Sequence, residues 1–163
     1  FGFDPESLDI GFYEEDHGAL FFGDNLAERH IVVMKTTDGG MTWVKAGDDS
    51  NLKSLNYHSR LIFAKFINDN EGMASFCYFG HSDMCQHTFV TVDGGKTWKK
   101  LSVDYDSNTP ADTPDDGCVY EATSLEVENG VYKLTLRRYN GRINLPDVYM
   151  TSDRIDSGYK FTE

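Results

Sequence analysis

The sequence predicts an all-β fold, the four-stranded antiparallel blades of a β-propeller, from three observations. An eight-residue turn occurs twice, as T-T-D-G-G-M-T-W over Thr36–Trp43 and as T-V-D-G-G-K-T-W over Thr91–Trp98. With those turns aligned, the strand-like runs around them fall into register as units of about fifty-five residues. Val, Ile, Phe, Tyr and Thr concentrate in short runs, and no stretch sustains apolar residues at helical spacing. Four short strands recurring in each unit make propeller blades.

The elements follow in order. The first unit, about residues 8–46, reads as apolar I-G-F-Y, a turn over Glu14–Gly18, A-L-F-F-G, a loop from Asp24 to His30, then I-V-V-M and the first turn motif. The second, about 59–101, reads as L-I-F-A-K-F, a turn over Asn68–Gly72, M-A-S-F-C-Y-F, a loop over Gly80–Gln86, H-T-F-V and the second motif. A third, about 118–162, needs insertions: V-Y-E-A-T-S-L-E-V, a turn over Glu128–Gly130, V-Y-K-L-T-L, a loop over Arg137–Pro146, and D-V-Y-M leading into a degenerate motif. In that copy Thr151 and Asp153 stand for the front of the motif, and Gly158 and Phe161 for its Gly and Trp. All three units belong to a single repeat domain over 1–163.

Each motif sits between two strand-like runs and reads as a hairpin turn. Asp38 and Asp93 are placed to accept hydrogen bonds from backbone N–H groups two residues on, and Gly39, Gly40, Gly94 and Gly95 supply φ > 0. The hydroxyls of Thr36, Thr42, Thr91 and Thr97 can close the loop further. Trp43 and Trp98 then bury a large ring on the sheet. The turn is a fold-stabilising clasp.

Both copies fit Ser/Thr-x-Asp-x-Gly-x-Thr-Trp and resemble the Asp-box, or BNR repeat, of sialidases, sortilin-type receptors and photosystem II assembly factors. The resemblance covers nearly the whole chain. It implies propeller blades with the box between the third and fourth strands, and ligands held on the opposite, boxless face near the central axis.

Three blades are too few for a closed ring, since propellers typically have four to eight. The chain is therefore expected to be part of a six- to eight-bladed propeller, or to complete one as a homo-oligomer; starting at Phe1 without Met favours the first. A net charge of −12 excludes a phosphate-binding footprint, so no nucleic-acid partner is expected. No apolar run is long enough for a membrane span. Cys77 and Cys85 sit on two arms of one hairpin, where a disulfide and buried free thiols are both open readings, and Cys118 makes the count odd. A secreted, periplasmic or cell-surface location is expected.

On the boxless face, basic groups gather in an acidic chain: Arg29 and His30, His81, and Arg137, Arg138, Tyr139 and Arg142. Guanidinium forks suit a carboxylate, and the Tyr139 ring offers stacking. These are the candidate ligand-binding residues, and solvated surface arginines are the plainer reading. The R-I-P signature that sialidases carry before their first box is absent, so no catalytic residue transfers by motif. Asp104-x-Asp106-x-Asn108 opens like a calcium loop but lacks its Gly and Glu, and His81, Cys85 and His87 lack a fourth zinc ligand. No cofactor or metal is expected. The sequence supports a non-catalytic module binding a glycan or a protein partner, beside two alternatives: part of a sialidase-like glycoside hydrolase, or an assembly-factor-like propeller binding a protein segment.

Overall fold

The computed structural model describes residues 3–24, 31–47, 59–78, 87–101, 119–140 and 143–162, with side chains over 8–22, 31–47, 61–76, 88–101, 120–138 and 144–162. These residues form three four-stranded antiparallel sheets, each a meander in chain order. Blade 1 holds β1 (Phe3–Phe12), β2 (Gly18–Asp24), β3 (Ile31–Thr36) and β4 (Val44–Lys45). Blade 2 holds β5 (Ser59–Phe66), β6 (Gly72–Tyr78), β7 (His87–Thr91) and β8 (Lys99–Lys100). Blade 3 holds β9 (Val119–Glu128), β10 (Val131–Asn140), β11 (Ile143–Ser152) and β12 (Lys160–Thr162). The chain is three blades of a β-propeller.

Blades are held together by apolar faces, because a sheet with alternating side chains has two faces to cover. Between blades 1 and 2, Phe21 stacks on Phe66 at 5.8 Å, and Trp98, only 1 % exposed, meets both rings edge-on at 6.0 Å. The opposite face of blade 2 places Phe63, Met73, Val90 and Leu101 against Leu125, Leu134, Leu136 and Met150 of blade 3. Blade 2 is thus buried on both sides.

The two turn motifs are corners of matching geometry. Thr36 Oγ1 donates to Asp38 Oδ1 at 2.7 Å and accepts the N–H groups of Asp38 and Gly40. The Asp38 carboxylate accepts from Thr42 N at 2.9 Å and from Thr42 Oγ1. Thr91, Asp93, Gly95 and Thr97 repeat each of these bonds. Gly40 and Gly95 hold φ of 88° and 89°, and their carbonyls accept the indole N–H of Trp43 and Trp98. One detail differs from the sequence expectation: each Asp takes the N–H four residues on, because the Thr hydroxyl already holds the N–H groups nearer to it.

The third corner differs by one position. Ser152 lies opposite Tyr132 as Thr36 lies opposite Gly18 and Thr91 opposite Gly72, so Ser152, not Thr151, takes the Thr36 role. Its Oγ accepts from Arg154 N at 3.1 Å and donates to Ser157 O. Tyr159, immediately before β12, holds the place of Trp43 before β4, whereas Phe161 pairs with Met150 inside the strand ladder. Asp153 is exposed, and it is Asp156 that accepts the Arg154 guanidinium at 3.0 Å. A one-residue slip reverses the face of every side chain, and only the pairing register resolves it. Gly158, at φ 75°, immediately precedes Tyr159 as Thr42 precedes Trp43, so it does not stand at the Gly40 place, which Asp156 occupies.

Of the expected loop over Arg137–Pro146, residues 137–140 and 143–146 are strand. Arg138, Tyr139 and Asn140 pair with Leu145, Asn144 and Ile143. Pro146 cannot donate to the ladder, and the register shifts there between Leu136 and Arg138, so the strand bulges instead of ending.

Candidate functional site

β1, β5 and β9 are edge strands of their sheets, and the three converge. Asp9 on β1 accepts the Ala64 N–H of β5 at 2.8 Å. Lys65 on β5 donates to the Leu125 carbonyl of β9 at 3.1 Å. Two side chains from inside apolar runs therefore tie the inner edges of neighbouring blades. Between the edges lies a cleft of about 310 Å³, lined by Asp9–Phe12, Phe63–Phe66 and Thr123–Glu126.

The cleft has two characters. Ile10, Phe63 and Phe66 supply apolar wall, while Thr123, Ser124 and Glu126 supply polar groups. Ser124 Oγ donates to Thr135 Oγ1 at 2.9 Å, and Thr123 Oγ1 to Thr135 O at 3.4 Å, so these hydroxyls are oriented within blade 3. Glu126 is exposed. Strand edges also present backbone N–H and C=O groups, which an extended chain can pair with. The arrangement suits holding a ligand by shape and backbone contact.

A second polar cluster sits where the β1–β2 turn meets blade 2. The Asp69 carboxylate accepts from Tyr13 at 2.9 Å and from His17 Nδ1 at 2.8 Å. The Asp69 carbonyl accepts from Lys35 Nζ, which lies 4.6 Å over the Phe66 ring. The His17 bond, then the Tyr13 bond, hold the Asp69 carboxyl below the usual carboxylate range, and the same bond raises His17 above the ordinary imidazole value. Burial lowers Lys35, against the pull of Asp69. Gly39 N donates to Asp16 O and Gly94 N to Asn70 O, so the corners and the first-to-second turns share one end of the blades. The donors around Asp69 are spent on joining blade 1 to blade 2.

The sequence-derived candidates are placed as follows. Arg137 is exposed, with NH1 3.5 Å from Glu121 Oε2. Arg138 is buried, its Nε donating to the Pro146 carbonyl at 2.8 Å. Successive strand residues face opposite sides, so these two guanidinium groups do not form one fork. Tyr139 follows them in β10. Arg29, His30, His81 and Arg142 lie outside the described residues, as do the calcium-like segment at 104–108, Cys85 and Cys118; of Cys77 and His87 only the backbone is described. Among the described residues no group of His, Cys, Asp and Glu converges as a metal site.

Sequence reasoning passed over Asp9, Lys65 and Glu126. Their signal is a charge interrupting an apolar run, at L-D-I-G-F, L-I-F-A-K-F and L-E-V, where a solvated side chain is the ordinary reading.

No protein-family model matches the chain, and no curated protein sequence does. Solved structures do. YCF48 bound to a D1 peptide is similar at 17 % identity and a TM-score of 0.50, over 96 % of this chain. A GH43 protein of Bacillus licheniformis, BlXynB in its K247S form, is similar at 14 % identity and a TM-score of 0.38, over 99 % of this chain. The chain spans about two-fifths of each neighbour, 39 % and 42 %. At this identity the likeness to YCF48 bears on fold alone. Among the described residues no helix is long and apolar enough to cross a membrane.

Proposed function

We propose that this chain is a binding module that holds an extended segment of a partner protein in the cleft between β1, β5 and β9, without catalysing a reaction. The observation that carries this reading is the convergence of three sheet edges on one half-apolar cleft. Edge backbone gives affinity to an extended chain and side-chain pockets give selectivity, which is how strand-binding grooves work. Support also comes from the fold neighbour that was solved with a peptide bound. The Asp-box reading of the corners belongs to the same proposal: their hydrogen bonds are closed internally, which suits scaffolding and leaves recognition to the axis. A sialidase-like site calls for arginines converging on a carboxylate, and Arg137 and Arg138 diverge across β10.

Panning the purified chain against a displayed library of random peptides tests this reading, with enriched sequences measured by fluorescence polarisation. Enriched peptides are expected to bind, and Glu126→Arg is expected to weaken them because it puts a long charged side chain on the cleft wall. An array of sialylated and neutral glycans is expected to stay blank. Glycan binding with no peptide enriched over the bare display scaffold overturns the proposal.

A further inference from the structure

The inner edges of the blades carry one pattern at two seams, with opposite sign. By strand register, Asp9, Phe63 and Ser124 hold equivalent positions in β1, β5 and β9; Ile10, Ala64 and Leu125 hold the next, and Gly11, Lys65 and Glu126 the one after. At the seam between β1 and β5, Asp9 Oδ2 takes the Ala64 N–H at 2.8 Å. At the seam between β5 and β9, Lys65 Nζ donates to the Leu125 carbonyl at 3.1 Å. The same backbone position is addressed from the preceding blade each time, once by an acceptor and once by a donor.

Each seam closes only half of that backbone pair. On an edge strand, the N–H and C=O of a residue that does not bond the ladder leave on the same, open side. The Ala64 carbonyl therefore lies on the open side of β5 beside its N–H, and the Leu125 N–H on the open side of β9 beside its carbonyl. Neither group has a partner among the described residues. The sequence supplies the reason: Gly11 stands where a donor would reach the Ala64 carbonyl, and Phe63 where an acceptor would reach the Leu125 N–H. The two side chains are also half-spent. Among the described residues Asp9 Oδ1 meets no donor, and Lys65 uses one N–H of its ammonium group, which has three.

The first seam thus gathers open acceptors, Asp9 Oδ1 and the Ala64 carbonyl. The second gathers open donors, the Lys65 ammonium and the Leu125 N–H. Both belong to the one cleft of about 310 Å³, where Asp9 is half-buried and Lys65 exposed. Glu126, at the Lys65 position of the next blade, lies beyond the second seam.

We propose that the cleft selects an internal peptide segment carrying one basic and one acidic side chain in fixed order, the basic group at the β1–β5 seam and the carboxylate at the β5–β9 seam. This rests on the peptide-binding reading above and names its sequence class. An ammonium or guanidinium group brings the donors that Asp9 and Ala64 lack, and a carboxylate the acceptors that Lys65 and Leu125 lack, so both contacts are charge-assisted. Packed sheets lie about 10 Å apart and an extended chain advances about 3.3 Å per residue, which sets the two charges about two to four residues apart.

Peptides enriched from the random library, resynthesised with acetylated and amidated ends, test the proposal through double-mutant cycles read by fluorescence polarisation. The enriched sequences are expected to share a Lys or Arg and an Asp or Glu at that spacing, in one order. Asp9→Asn and Lys65→Gln can keep the bonds to Ala64 and Leu125 while removing the charge, so both are expected to leave the thermal midpoint unchanged. Asp9→Asn is expected to weaken the parent peptide about three- to tenfold and to spare a peptide whose basic residue is replaced by norleucine. Lys65→Gln is expected to weaken the parent equally and to spare a peptide whose acidic residue is replaced by its amide. The peptide replacements alone, on the unchanged chain, are expected to cost the same factor. Enriched peptides without the charge pair, or affinities indifferent to both variants, overturn this inference and leave the peptide-binding reading standing. No enriched peptide at all overturns that reading, and this inference with it.

Discussion

Trp98→Ala and Trp43→Ala make one comparison that isolates the packing between blades. Both side chains donate an indole N–H to the carbonyl of the corner Gly, at 3.2 and 3.0 Å, so each substitution loses the same local bond. They differ in what covers the ring. Trp98 is buried against Phe21 of blade 1 and Phe66 of blade 2, while Trp43 is half-buried and meets only Phe12 edge-on at 6.3 Å among its described ring contacts. Removing a fully buried aromatic costs about 3–5 kcal/mol, and a half-covered one roughly half of that. At about 2–4 °C per kcal/mol for a chain of this size, Trp98→Ala is expected to lower the thermal midpoint by about 10–15 °C and Trp43→Ala by about 5 °C. Circular dichroism of the β-sheet signal reads both. Equal shifts would mean that the corner bond, rather than the inter-blade core, sets the stability, and the packing argument would fail.

Four further outcomes are expected. Tyr159→Phe removes a buried hydroxyl that has no hydrogen-bond partner among the described residues, so urea unfolding is expected to show unchanged stability or a gain of up to about 1 kcal/mol. Arg138→Ala is expected to cost about 2–4 kcal/mol by emptying the site of a buried side chain and removing its bond to the Pro146 carbonyl, while Arg137→Ala stays within about 0.5 kcal/mol; the same urea titration separates them. Asp38 has its carboxyl pulled down to about 2 by its bonds from Thr42 and Thr36, so its contribution is full above the unfolded value of 3.8 and lost as pH falls toward 2; Asp38→Asn should flatten that acid limb of the midpoint-against-pH curve. His17 is raised by its Asp69 bond, with Glu14 and Asp16 also within 4 Å, so its contribution is full below the unfolded value near 6.5 and lost as pH rises through the higher folded value. A thermal-melt series on His17→Asn should lack that alkaline loss.

Blades 1 and 2 were legible in the sequence because their corners are chemically over-determined: a Thr, an Asp, a Gly at φ near 90° and a Trp are each tied by a bond inside the same eight residues. Blade 3 was legible in its strands but not in its corner. Ser152 and Tyr159 keep the spacing of Thr36 and Trp43, but Arg154 and Asp156 stand where the motif has Asp and Gly, and Thr151 and Asp153 imitate a motif that the β10–β11 register assigns one residue later. The extension of β10 to Asn140 and of β11 back to Ile143 was hidden by Gly141, two arginines and Pro146, all of which read as loop composition. The cleft was not legible, since Asp9, Lys65 and Glu126 acquire meaning only when three strands that are distant in sequence come side by side.

The central claim is that corners stabilise and the axial cleft recognises, and one paired measurement separates the two roles. Peptide affinity by fluorescence polarisation and thermal midpoint are recorded together for the chain, for Asp93→Ala and for Glu126→Arg. Asp93 accepts three bonds in its corner, and Glu126 stands exposed on the cleft wall. The account predicts a lower midpoint with unchanged affinity for Asp93→Ala, and an unchanged midpoint with lost affinity for Glu126→Arg. Affinity lost in Asp93→Ala at an unchanged midpoint, with Glu126→Arg binding as the parent does, would contradict it.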